Sequence, residues 1–140
     1  MQHNLIGSLE GNSLRNLISM THLNFYGNKL SSISNLMYWN FVRLSVGNNK
    51  LNTLSCSELP YNTYELDLSK NNISKIDSNC KHILGQIAIL DLSCNQLVSN
   101  GINIQKDILE KLHFVVSLKL AGNNIAELQN PIRHFNLLNL

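Results

Sequence analysis

Runs of charge are missing from this sequence. Eleven Lys and Arg stand against nine Asp and Glu, a formal charge of +2, and no cluster of basic residues exists to follow a phosphate backbone. Nucleic acid is therefore not an expected partner. Long apolar runs are missing too: nothing approaches the roughly 18 uninterrupted apolar residues of a membrane span, so no membrane insertion is expected. The opening "MQHNLIGSLEGNSL" lacks the basic, apolar and small-residue regions of a signal peptide. Read literally from Met1, the chain is not exported.

Cysteine is scarce, at three residues, too few for a disulfide-built miniprotein. Cys56, Cys80 and Cys94 show no paired C-x-x-C spacing, and Cys80 with His82 has no second pair beside it, so no metal centre is expected. No glycine-rich phosphate loop appears. His3, His22, His82, His113 and His134 are scattered, with no Ser or Cys nucleophile in a recognisable elbow. The expectation is a protein without catalytic residues and without a cofactor.

What the sequence has is a repeat. "LDLSKNNI" at 66–73 returns as "LDLSCNQL" at 90–97. Aligned on that stretch, the chain reads Met20-x-x-Leu23-x-Phe25-x-x-Asn28-x-Leu30, then Phe41-x-x-Leu44-x-Val46-x-x-Asn49-x-Leu51. Thr63-x-x-Leu66-x-Leu68-x-x-Asn71-x-Ile73, Ile87-x-x-Leu90-x-Leu92-x-x-Asn95-x-Leu97 and Val115-x-x-Leu118-x-Leu120-x-x-Asn123-x-Ile125 follow. Leu-x-Leu is strand alternation, so each copy supplies one short strand with one apolar face. Such strands are stable only when stacked in parallel over a shared core, each buried Leu contributing roughly 1.5–3 kcal/mol. Asn28, Asn49, Asn71, Asn95 and Asn123 fall where the chain leaves the strand. There an amide with two donors and an acceptor closes the turn.

The pattern resembles that of the leucine-rich repeat family over roughly residues 18–140, and departs from it at one apolar position, Thr63. The resemblance implies a single solenoid domain: a curved parallel sheet on the concave face, an irregular, 3-10 or helical convex side, and about five to six repeats. Residues 18–134 carry the five repeats. Residues 1–17, with Leu9, Asn12, Leu14 and Leu17, read as a degenerate N-terminal turn, and 135–140 as the start of a sixth copy. A chain stopping inside a strand is expected to be a fragment of a longer array, or to self-associate edge to edge. The spacing between equivalent leucines grows from 44 − 23 = 21 to 118 − 90 = 28 residues. The longest insertion places Ile104, Ile108 and Leu112 on one helical face, predicting an amphipathic helix on the convex side.

In such a solenoid the residues between core positions line the concave face. Those expected to meet a protein partner are His22, Tyr26, Arg43, Tyr64, Glu65, Asp67, Asp91 and Lys119, with the two tyrosines as aromatic anchors. Asp67 and Asp91, placed two rungs apart on an open sheet, lack the apolar pocket that would make them an acid–base pair. Cys56 and Cys80 share the convex phase of consecutive repeats, so stacking predicts a disulfide between them and a free Cys94. Asn72 opens the sequon "NIS". The stretch "LSCSELPYNTYELDLSKNNISKIDSNC" is similar to secreted insect immune proteins of this family. These features point to an extracellular recognition module of innate-immune or receptor type; a cytosolic scaffold or regulatory subunit is the alternative.

Overall fold

The computed structural model describes residues 1–11, 14, 16, 19–98, 112 and 114–125. Strands β1 (His22–Asn24), β2 (Asn40–Ser45), β4 (Asn62–Asp67), β6 (Ile89–Asp91) and β7 (Ser117–Lys119) form one sheet in the order β1-β2-β4-β6-β7, parallel throughout. Its register sets the five repeat leucines side by side: Leu23 pairs with Leu44, Leu44 with Leu66, Leu66 with Leu90, and Leu90 with Leu118. Because the side-chain period of a strand is two, that register sends every Leu-x-Leu pair into the core. Phe25, Leu44, Val46, Leu66, Leu68 and Leu90 are buried there.

The return legs are short and varied. Segments Ser34–Leu36, Cys56–Glu58 and Ser78–Cys80 are 3-10 turns, and α1 (Lys81–Leu84) is a single turn of helix. Leu36, Leu59 and Leu84 seal the far side of the core. Strands β3 (Thr53–Leu54) and β5 (Lys75–Ile76) make a second, two-stranded parallel ladder, which the leucine pattern does not announce. Beside it, Cys56 and Cys80 form a disulfide across a Cα separation of 4.7 Å, as their shared phase predicts. Cys94 is free and exposed. The helix expected over 104–112 and the strand expected at 135–140 lie outside the described residues, apart from Leu112, which is buried.

The chain's opening residues repeat the turn of the later rungs. Asn4 Nδ2 donates to the carbonyls of Met1 and Gln2, as Asn49 Nδ2 does to those of Val46 and Gly47. Ile6 N–H then reaches Asn28 Oδ1, as Leu30 N–H reaches Asn49 Oδ1. This turn occupies residues 1–6, earlier than the Leu9 to Leu17 stretch in which the sequence suggested one. Asn12 and Leu17 lie outside the described residues.

Candidate functional site: the open face of the sheet

Where the strands end, one geometry recurs in every rung. Asn71 Nδ2 donates to Val46, Leu68 and Ser69 carbonyls, and its Oδ1 accepts Leu51 N–H. Asn95 repeats this set on Leu68, Leu92, Ser93 and Ile73. Asn123 likewise ties Leu92 and Leu120 carbonyls to Leu97 N–H. Asn28, Asn49, Asn71 and Asn95 are buried with these bonds made. The residue before each Asn has positive φ: Gly27, Asn48, Lys70, Cys94 and Gly122, at +51° to +71°. His3, before Asn4, joins them at +53°.

The open face is a set of lanes running across the strands. One lane is polar and ionic. His22 pairs with Arg43 and Arg43 with Glu65 in register, and Arg43 Nη2 lies 2.6 Å from Glu65 Oε2. The next lane engages its own groups: Ser45 Oγ donates to Asp67 Oδ2 at 2.7 Å, and Lys119 Nζ lies 3.2 Å from Asp91 Oδ2. The other oxygen of each aspartate caps the following turn, Asp67 Oδ1 accepting from Ser69 N–H and Asp91 Oδ1 from Ser93 N–H. Asn24 Oδ1 does the same for Tyr26 N–H.

A third lane is apolar. Backbone bonds Val42 N→Thr21 O, Ala88 N→Tyr64 O and Val116 N→Ala88 O tie its rungs together. Val42 is 47% exposed, Tyr64 58% and Val116 58%. Phe114 and Tyr61 add exposed aromatic surface at the same end of the strands. The cost of leaving such side chains in water, roughly 25 cal/mol per Å² of apolar area, is recovered only when something covers them.

At the far end of the strands Tyr26 is half-buried. Its ring meets His3 edge-on, centroids 5.5 Å apart, and Lys70 Nζ lies 5.9 Å from its centroid. The Tyr26 hydroxyl beside it, chiefly as a hydrogen-bond acceptor, raises the pKa of the Lys70 ammonium above the ordinary lysine value. Gly47 makes room for this ring: a Cβ there would stand 2.9 Å from Tyr26 Cδ2 and 3.0 Å from both Asp67 carboxylate oxygens.

Known proteins share this geometry. No protein-family model matches the sequence. Keratocan of Danio rerio is 31% identical over 130 residues, 89% of this chain and 36% of its own length, so the chain spans about a third of that relative. A leucine-rich repeat protein of Leptospira interrogans superposes with a TM-score of 0.72 at 23% identity, over 88% of this chain and 30% of that one. An internalin of Listeria monocytogenes gives 0.73 at 20% identity, over 98% and 40%. The chain is a leucine-rich repeat protein.

In this leucine-rich repeat sheet the candidate partner-binding residues separate into groups. His22, Arg43 and Glu65 stand in line, with Tyr64 beside Glu65 in the neighbouring lane. Tyr26 lies at the opposite strand end, so the two tyrosines belong to different patches. Asp67 and Asp91 are direct register partners on adjacent rungs, not two rungs apart as the sequence reading placed them, and with Lys119 they are engaged internally. Asn72 is exposed beside ladder Asn71. Val42, Val116, Tyr61, Phe114 and Lys70 were not among the sequence candidates. The signal for the first two was present in the column Thr21, Val42, Tyr64, Ala88, Val116. Among the described residues no group of three or more His, Cys, Asp or Glu is placed to hold a metal, and no helix is long and apolar enough to cross a membrane.

Proposed function

We propose that the chain is a protein-recognition module whose partner covers the apolar lane Val42, Tyr64 and Val116, with the Arg43–Glu65 pair at its rim. The observation that carries this reading is the contrast between lanes: the polar ones satisfy themselves, and the apolar one has nothing over it among the described residues. A lane of exposed apolar side chains flanked by paired charges has the composition of an interface core with a polar rim. The ion pair, exposed to water, supplies register more than affinity.

An extracellular setting, receptor- or defence-type, fits the Cys56–Cys80 disulfide, since such bonds persist in oxidising compartments. The exposed Asn72 is then open to glycosylation, and a glycan there sits at the turn end of the strands, away from the apolar lane. The test compares proteins captured by the wild-type chain with those captured by Val116→Glu and Val42→Glu, using Lys75→Ala on the return side as control. A partner lost with either lane variant and kept by the control, with its direct affinity then measured, supports the assignment. A partner lost only with the control places binding on the other face.

A further inference from the structure

A groove of about 410 Å³ opens where β2 and β4 begin, a volume within the range of small-ligand sites. Nothing that lines it carries a formal charge. Asn40, Asn62 and Gln86 bring amides, and Tyr61 and Tyr64 bring two half-exposed rings. Asn62 Nδ2 donates to Asn40 Oδ1 at 3.1 Å. That bond orients both amides, and leaves Asn62 Oδ1 as an acceptor and Asn40 Nδ2 as a donor with no other partner among the described residues. Thr63 also belongs to the lining. It is 4% exposed, and its hydroxyl has no hydrogen-bond partner among the described residues. It occupies the core position where other rungs carry Met20, Phe41, Ile87 or Val115, and is the register partner of Phe41.

We propose that this groove binds a neutral carbohydrate. The chemistry of the lining selects it by exclusion and by fit. An anionic or cationic ligand needs a counter-charge, and the nearest ions, Arg43 and Glu65, are paired with each other. A peptide that binds as an added strand needs a free sheet edge. Here β1 joins β2 only from Val42 on and β6 joins β4 only from Tyr64 on, which leaves residues 40–41 and 62–63 free on those sides, too little backbone for a strand to add to. A purely apolar ligand would cover Asn62 Oδ1, Asn40 Nδ2 and the Gln86 amide without offering them hydrogen bonds, which is costly. A pyranose ring presents C–H groups on its faces and hydroxyls around its rim. The tyrosine rings suit the first, and the oriented Asn40–Asn62 pair with Gln86 suits the second. The groove shares Val42 and Tyr64 with the protein-recognition lane, which continues past it to Val116.

The test titrates the full chain with three neutral trisaccharides, of β-1,4-linked N-acetylglucosamine, β-1,3-linked glucose and α-1,4-linked mannose, and with anionic trigalacturonate. Amide NMR shifts at 40–42 and 61–64 are followed, with affinity from calorimetry. At least one neutral sugar is expected to shift those amides saturably. Tyr61→Ala and Asn62→Ala should each weaken its binding by at least about tenfold, while Lys119→Ala leaves it unchanged and trigalacturonate binds no better than to Tyr61→Ala. Tyr61 and Asn62 are exposed, so both variants should melt as the wild type does. Absence of a saturable shift from every neutral sugar up to about 10 mM, or an affinity indifferent to both variants, overturns the assignment. So does a shift produced by N-acetyl-tyrosinamide and not by the sugars, which makes the groove a side-chain pocket for a protein partner. Loss of protein binding in Val116→Glu, which lies outside the groove, bears on the other reading alone.

Discussion

The two ends of these strands obey different rules. At the end where a strand finishes, five rungs carry a left-handed residue followed by Asn, and the Asn bonds are the same from rung to rung. At the end where a strand begins, the rungs vary: Met20, Phe41, Thr63, Ile87 and Val115 occupy one column, and Thr21, Val42, Tyr64, Ala88 and Val116 the next. The first end must satisfy buried backbone donors and acceptors, and only one side chain has the right groups at the right reach. The second end has only to be covered. Freedom to vary, and with it the capacity to recognise something, gathers where the backbone asks least.

Breaking the uniform end gives the largest effect. Asn71→Ala removes four hydrogen bonds at once and leaves Leu51 N–H unpaired, while the Val46 carbonyl keeps only Asn49 Nδ2. A loss of about 3–4 kcal/mol is expected in urea unfolding, while Tyr64→Ala at the variable end should stay within about 0.5 kcal/mol. Comparable losses at both ends would erase the distinction. Next comes the clamp on the return side. Replacing Cys56 and Cys80 with Ser opens a link that spans a separation of 24 residues and should cost roughly 3 kcal/mol by loop entropy, measured against the wild type in non-reducing buffer.

The comparison sharpens at Thr63. Thr63→Val removes a buried hydroxyl without a partner and makes that rung as apolar as its neighbours, so a gain of about 1 kcal/mol in thermal or urea unfolding is expected. A loss would mean that the hydroxyl is satisfied in solution. The smallest effect belongs to the left-handed column. Lys70→Gly and Cys94→Gly relieve a conformation that disfavours L side chains by roughly 1–2 kcal/mol, against the extra entropy that glycine loses on folding. A net gain near 0.5 kcal/mol each is expected from chemical denaturation. Gly47→Ala should lose stability, because its new methyl meets Tyr26 and Asp67.

The parallel sheet, its register and the convex disulfide were legible in the sequence because each follows from a period: two for strand alternation, the repeat length for stacking. What the period does not carry stayed hidden. Asn4-x-Ile6 is half a repeat, too short to stand out among the nineteen polar and apolar residues before the first full copy. The left-handed column is a backbone property, and Lys70 and Cys94 give no sign of it, since only Gly and Asn advertise that region. The ladder of Thr53–Leu54 with Lys75–Ile76 lies in segments of unequal length, where no alignment of repeats points to a pairing. On the open face the columns were readable, but the weights were not. Asp67, Asp91 and Lys119 looked available as charges and are held by neighbours. Val42 and Val116 looked like ordinary strand residues and are the uncovered ones.

Each ladder asparagine reaches backward: Asn49 to the Phe25 carbonyl, Asn71 to that of Val46, Asn95 to that of Leu68, Asn123 to that of Leu92. Every joint in the array is thus the same coupling, fitted between any rung and the one before it. Excise residues 23–43 as a unit, joining His22 to Leu44, and Asn49 comes to face Met1 and Ile6 as Asn28 does now, with the Cys56–Cys80 clamp left intact. A gene encoding such a chain can lengthen or shorten by whole repeats without inventing a new contact, and each such step slides a different set of variable side chains into the middle of the face.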